Sequence, residues 1–298
     1  MIKISRLIVL LLLFCVPVFA QQSGFQNPPK EILALADVLP APTVVPDKEG
    51  KNLIFLTRPA YKTLQEISET ELKLAGIRFN PANLNTSRTN YYINVEIMET
   101  SSGKKIPVLG LPDKVRIEYA NFSPQNNYIS FVNVLPDGME LWTIELKSGA
   151  ARKITPANLS AVTGYPYTWS PDEKSIFCRT NDNKVPYPDA KELPSGPSIQ
   201  EATGSKAPAR TFTDLLKNPN DEKKFDFYAS CTVTMIDLKT LKSSTVLAKN
   251  IYRTMNISPD GQYFLITNIN RPYSYTLPYS RFPYTTNLYS SKGVNDPY

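Results

Sequence analysis

The stretch Ser170-Pro171-Asp172-Glu173-Lys174-Ser175-Ile176-Phe177 has two counterparts in the same chain. They are Ser123-Pro124-Gln125-Asn126-Asn127-Tyr128-Ile129-Ser130-Phe131 and Ser258-Pro259-Asp260-Gly261-Gln262-Tyr263-Phe264-Leu265. Each is a turn-forming run followed at once by apolar residues suited to a strand. One supersecondary unit copied along a chain is the signature of a β-propeller. A second phrase recurs in step: Val95-Glu96-Ile97, Ile144-Glu145-Leu146 and Ile236-Asp237-Leu238, followed respectively by Gly103, Gly149 and Lys239-Thr240 in polar loops. Pro124 to Pro171 is 47 residues and Glu96 to Glu145 is 49, whereas Pro171 to Pro259 is 88 and Glu145 to Asp237 is 92. The short spacings are one four-stranded blade, and the long ones are a blade plus about forty inserted residues.

The insertion covers 181–228, where alternation is lost and Pro186, Pro188, Pro194, Pro197, Pro208 and Pro219 accumulate. Thr211 to Lys217 predicts its one short helix, with Thr211 or Thr213 as cap, and Phe225-Asp226-Phe227-Tyr228 predicts a packed close. A cover over the propeller and a passive surface arm are both open readings of the excursion. A fainter repeat, Val45-Pro46-Asp47-Lys48-Glu49-Gly50-Lys51-Asn52-Leu53-Ile54-Phe55-Leu56, keeps the turn-then-strand pattern without the serine. Between Lys62 and Gly76, the spacing of Leu64, Ile67, Leu72 and Ala75 predicts a helical arm interrupting the first blade.

The fold expected is all-β: a partial β-propeller of roughly four to five four-stranded blades with short helical insertions. Residues 1–20 read as a signal peptide, 21–44 as a Pro-rich N-terminal arm, and 45–298 as an incomplete β-propeller carrying the 181–228 insertion within one blade. Asn287 to Gly293 resembles the third strand of a further blade, so the repeat is expected to break off within itself. Unpaired blade edges make self-association an expectation too.

Lys3 and Arg6 precede the apolar run Leu7 to Val16, and Val18-Phe19-Ala20 forms a small-residue cleavage site. An exported protein, periplasmic or secreted after cleavage near Ala20, follows, with no membrane span. Removing Lys3 and Arg6 from the 33 basic residues leaves 31 against 27 acidic ones, a net charge of +4. So mild and scattered a charge gives no ground for a nucleic-acid partner.

The chain contains no histidine. A Ser-His-Asp triad, a Cys-His dyad and His-ligated zinc are therefore excluded within it. Neither a Gly-x-Ser-x-Gly elbow nor a phosphate loop is present, and no catalytic residue, metal or cofactor is expected. Cys178 and Cys231 fall in strands of the interrupted blade, where a disulfide and two buried thiols are both open readings.

Five stretches carry a family resemblance: Pro29-Lys30-Glu31-Ile32-Leu33-Ala34-Leu35-Ala36-Asp37, Glu71-Leu72-Lys73-Leu74-Ala75-Gly76-Ile77-Arg78-Phe79, Pro194-Ser195-Gly196-Pro197-Ser198-Ile199-Gln200, Arg210-Thr211-Phe212-Thr213-Asp214-Leu215-Leu216, and Arg271-Pro272-Tyr273-Ser274 with Arg281-Phe282-Pro283. Through them the chain resembles the N-terminal β-propeller region of glutamyl endopeptidase-like members of the prolyl oligopeptidase superfamily. In those secreted serine peptidases a propeller precedes an α/β-hydrolase domain. The resemblance implies a propeller that restricts which peptides reach the active site, with the nucleophile, acid and histidine in the hydrolase domain. No residue here matches those catalytic motifs, so the chain by itself is expected to be inactive. Its expected partners are peptide substrates and that hydrolase domain. The alternatives are a stand-alone periplasmic propeller used as a binding or scaffold module and a decayed remnant. Arg271, Tyr273 and Arg281 are the candidate substrate-binding residues, because a guanidinium beside tyrosines suits an acidic peptide. The competing reading is that the two arginines tie blades together.

Overall fold

The structure is a computed structural model that describes residues 27–182, 186–188 and 212–291. The chain forms two compact units that divide after Val38. In the first, α1 (Lys30–Ala36) is one short helix with Glu31 in its first turn and no buried residue. Among the described residues, the second is built from four blade sheets in series and one two-stranded sheet in an insertion.

Blade 1 comprises β1 (Thr43–Pro46), β2 (Asn52–Thr57), β5 (Asn94–Glu99) and β6 (Lys105–Ile106), all antiparallel to their neighbours. Its insertion, between β2 and β5, holds α2 (Leu64–Ile67) and the hairpin β3 (Leu72–Leu74) with β4 (Ile77–Phe79). Blade 2 comprises β7 (Ile117–Phe122), β8 (Tyr128–Leu135), β9 (Gly138–Glu145) and β10 (Ala151–Lys153). Blade 3 comprises β11 (Tyr167–Trp169), β12 (Ser175–Thr180), β13 (Cys231–Asp237) and β14 (Ser243–Asn250), with α3 (Pro219–Ala229) just before β13. Blade 4 comprises β15 (Tyr252–Ile257), β16 (Tyr263–Ile269) and β17 (Tyr284–Ser290). The expected all-β propeller architecture is thus present, as serial blades with insertions.

The repeated phrase forms one loop in four copies. Ser123, Ser170 and Ser258 each donate a backbone N–H to the carbonyl five residues on and accept, through Oγ, the N–H of that same residue. Asp47 does both with Asn52. Asp47, rather than Val45 before Pro46, therefore occupies the serine position of the faint copy, two places from where residue identity suggests. The fourth residue of each copy is left-handed: Gly50, Asn126, Glu173 and Gly261 have φ of 68°, 61°, 57° and 73°.

The second phrase also forms a common hairpin, with one correction. Glu99, Glu145 and Asp237 each accept the N–H four residues on, and each side chain accepts a hydroxyl three residues on, from Ser102, Ser148 and Thr240. Glu99 is thus the counterpart of Glu145, not Glu96, which lies three residues earlier in β5 and pairs with Lys105. Both repeated loops join adjacent strands at the same end of the blades, and they tie neighbouring blades. Lys48 Nζ donates to the Pro124 carbonyl at 3.3 Å. Glu173 accepts from Gln125 N–H at 2.6 Å and from Asn127 Nδ2 at 2.8 Å. Glu173→Ala removes the acceptor of a partly buried amide, so the urea midpoint is expected to fall by the equivalent of about 1–2 kcal/mol at constant m-value, and Glu173→Gln by less. An unchanged midpoint for the alanine variant rejects this tie.

The strands read as continuous apolar runs because both faces of an inner blade are buried. In β8, Ile129 and Phe131 face blade 1 residues Ile54 and Ile97, while Val132 and Val134 pack with Trp169, Ile176 and Cys178 of blade 3. In β12, Phe177 turns the other way and meets Phe264 edge-on, with ring centroids 4.5 Å apart. Cys178 and Cys231 are free buried thiols. Register explains why the bridge is not formed: Cys178 pairs with Thr234, and Cys231 lies three residues away on the opposite face of β13, in the next interblade core.

At the other end, the connections between second and third strands are long in blades 1, 3 and 4, and tight in blade 2. The three insertions meet in one cap, whose core includes Leu74, Phe79, Leu216, Phe225, Tyr228 and Phe282. The helix predicted at 211–217 is not formed: Thr211 lies outside the described residues, and Asp214 adopts φ 60° while accepting Gly76 N–H. The helix is α3 instead, with Asn218 capping Asp221 N–H, Pro219 at its first turn, and Asp221 and Glu222 near its positive end. The helical arm predicted before Gly76 shrinks to α2, whose Leu64 and Ile67 are exposed. Leu72 and Ala75 belong instead to the β3–β4 hairpin, where Ala75 and Gly76 take φ of 52° and 80°. Gly76 is also required by contact, since a Cβ there would lie 2.5 Å from Pro278 Cβ.

Candidate functional site

The inner strands β7, β11 and β15, with the repeated loops at one end, line a cavity of about 850 Å³. Among the described residues, its charged lining side chains are Lys48, Arg179 and Arg253, with no carboxylate. Phe122, Tyr165, Tyr167 and Trp169 form an aromatic wall. Asn121, Thr168 and Asn256, each two residues before its loop's serine position, repeat one polar position around the cavity.

The wall is held by a chain of hydrogen bonds. Trp169 Nε1–H donates to Ser130 Oγ at 2.9 Å, Ser130 donates to Tyr167 Oη at 3.0 Å, and Tyr167 donates to the Tyr119 carbonyl at 2.6 Å. Tyr165 donates to the same carbonyl at 2.9 Å. That carbonyl is turned toward both tyrosines by a bulge in β7, where the pairing with β8 shifts register and Tyr119 adopts φ 55°. Burial raises the pKa of Tyr119 and Tyr167, so both remain neutral hydroxyls. Such a wall presents flat apolar faces with fixed polar tips.

Arg179 is the unusual member. It sits on β12 at 3% exposure, and among the described residues its guanidinium donates to neutral groups: Thr163 Oγ1 at 3.3 Å, the Tyr252 carbonyl at 3.1 Å and the Arg253 carbonyl at 3.3 Å. Its Nε–H has no acceptor among the described residues. Burial lowers its pKa. Gly164 makes room for it, since a Cβ there would lie 3.1 Å from Arg179 Nη1.

The residues singled out from sequence lie in the cap, and none lines the cavity. Arg271 is clamped by Glu222 and Asp226 of α3, which hold its pKa up. Tyr273 donates to the same Asp226, lies 4.6 Å beneath the Arg271 guanidinium, and stacks on Phe282 at 5.1 Å. Arg281 is exposed, with its guanidinium over the Phe212 ring at 5.9 Å. The structure brings Arg271 and Tyr273 together and spends their polar groups on α3, which favours the holding role over substrate contact. Arg271→Met is therefore expected to cost about 1 kcal/mol, discounted because the pair is half exposed, and to leave peptide binding unchanged. A peptide titration that weakens more than threefold would return Arg271 to the substrate. The cavity arginines were missed in the sequence; the available signal was a single arginine in the otherwise uncharged strand Ile176-Phe177-Cys178-Arg179-Thr180.

No protein-family profile matches the chain. It is 30% identical over 285 residues to a protein named "Probable glutamyl endopeptidase, chloroplastic" from Oryza sativa subsp. japonica, covering 91% of this chain and 30% of that protein. To the protein of the same name from Arabidopsis thaliana it is 29% identical over 287 residues, covering 91% of this chain and 29% of that one. The chain thus spans about three tenths of the length of the curated relatives it matches. Among solved structures, acylaminoacyl peptidase from Pyrococcus horikoshii aligns at a TM-score of 0.46 and 12% identity, over 88% of this chain and 32% of that one. The β-propeller domain of the Trilobed protease from Pyrococcus furiosus aligns at 0.42 and 10% identity, over 85% and 55%.

Proposed function

As a glutamyl endopeptidase-like β-propeller region of the prolyl oligopeptidase superfamily, this chain is, we propose, the substrate-gating portion of a serine peptidase whose central cavity receives peptides. The observation that carries this reading is the cavity itself, which among the described residues has aromatic walls, three cationic side chains and no lining carboxylate. Such a lining favours peptides bearing negative charge, in keeping with Glu-directed cleavage by the parent enzyme. Catalysis is supplied by a hydrolase domain outside this chain, which has no histidine to act as a triad base.

Export directed by residues 1–20, with periplasmic or secreted placement, belongs to the same proposal; these residues lie outside those described. Among the described residues, no helix is long and apolar enough to cross a membrane. Self-association is also proposed, since blade 1 exposes Val44 while blade 4 exposes Leu265 and Tyr284.

Trp169 lines the cavity and provides the test. In a Trp142→Phe background it is the remaining tryptophan, and acidic peptides of four to eight residues are expected to quench or shift its emission saturably. A flat titration at millimolar peptide removes the cavity from peptide handling.

A further inference from the structure

We propose that Arg179 is an anion-recognition residue of the central cavity and takes a carboxylate of the incoming peptide. The inference rests on the reading of the cavity as a peptide receiver. A buried guanidinium ordinarily has a carboxylate partner, because desolvating a charge is costly unless an opposite charge offsets it. Arg179 has none among the described residues, although it is nearly as buried as the core around it. Its three hydrogen bonds tie β12 to β15 and to Thr163 through neutral acceptors, a task that needs donors but no charge.

A guanidinium has five N–H groups, and these bonds use three at most. The remaining capacity includes the Nε–H without an acceptor and a second hydrogen on Nη2. The Nε–H together with an Nη2–H forms one edge of a guanidinium that makes bidentate pairs with carboxylates. Arg179 lines the cavity but its Nε is buried, so engagement involves a turn of the side chain toward the cavity. Gly164 leaves that side chain free of a neighbouring Cβ. Lys48 and Arg253 supply positive potential along the same cavity, and the tyrosine and tryptophan rings give the peptide an apolar surface to lie on.

A carboxylate can come from a Glu or Asp side chain or from a peptide C-terminus. Three peptides of one sequence separate these sources: central Glu with both ends blocked, central Gln with a free C-terminal carboxylate, and central Gln with both ends blocked. Binding to the full chain is measured by calorimetry and Trp169 emission. One or both charged peptides are expected to bind at least tenfold more tightly than the neutral one, and the peptide that does so identifies the source. Arg179→Gln, which keeps donors for the carbonyls, is expected to abolish that preference while the neutral peptide binds as before. Equal affinity for all three peptides overturns the role of Arg179 and leaves the cavity reading intact, whereas no binding by any of them overturns both. A preference that persists in folded Arg179→Gln overturns the proposal and passes the charge to Lys48 or Arg253. Where Arg179→Gln does not fold, Arg179→Lys decides: loss of most of the preference supports the fork geometry, and full retention overturns it.

Discussion

Phe225→Ala is expected to destabilise the protein by about 3–5 kcal/mol, the usual cost of truncating a fully buried aromatic ring. Phe225 is 0% exposed at the centre of the cap. Tyr273 and Phe282 meet it edge-on at 5.3 Å and 5.8 Å, and both come from the blade 4 insertion, whereas Phe225 itself lies on α3 before β13. The same cluster includes Leu74 and Phe79 from the blade 1 insertion. One ring therefore joins three insertions that arise from separate blades, and the void left by alanine is walled by elements anchored in sheets that have no means of closing on it. Chemical denaturation followed by far-UV circular dichroism gives the loss directly. A change below 1 kcal/mol would show that the cap adheres to the blades without contributing to their stability.

The cap also shows what was legible in the sequence and why. Glu71 to Phe79, Arg210 to Leu216, Arg271 to Ser274 and Arg281 to Pro283 carry the resemblance, and in space their described residues meet. Arg78 pairs with Asp214 at 2.5 Å, Gly76 N–H bonds the Asp214 carbonyl, and Tyr279 N–H bonds the Ala75 carbonyl. The repeated loops were legible because a hydroxyl or carboxylate in a fixed place is needed to accept one backbone N–H. Asp47 is hidden in the sequence because a carboxylate does the serine's work there and the neighbouring Pro46 aligns the faint copy two residues upstream, on Val45. The start of α3 was written in Asn218-Pro219-Asn220-Asp221-Glu222, yet its weak amphipathicity and the surrounding prolines masked it. The cavity was the least legible feature. Its residues lie on different blades, and only the packing of those blades side by side brings Lys48, Arg179 and Arg253 to the lining of one space.

Stability is expected to fall as pH rises from about 4.5 to 7, by about 2–3 kcal/mol, with Glu118 as the cause. Burial pushes the Glu118 carboxyl up to about 7, against the opposing pull of hydrogen bonds from Asn85 and Tyr119 and of the Arg116 charge. Asn85 Nδ2 donates to it at 2.5 Å, and Arg116 is engaged by Glu69 at 2.7 Å, which limits its help. A carboxyl whose pKa is higher folded than unfolded binds more protons in the native state. Its contribution is therefore complete below the unfolded pKa and disappears as pH rises through the folded one. Asp47, Asp172, Asp260 and Glu71 have lowered pKa values and act with the opposite sign, losing stability as pH falls, but their transitions lie below the window that Glu118 controls. Glu118→Gln removes the titration and keeps an acceptor for Asn85. The variant should match wild type near pH 4.5, exceed it at pH 8, and show a flat urea midpoint between. Parallel pH profiles for the two proteins would assign the buried charge elsewhere, whereas a flat variant places a protonated carboxyl between the cap residue Asn85 and the bulge whose Tyr119 carbonyl holds the wall residues Tyr165 and Tyr167.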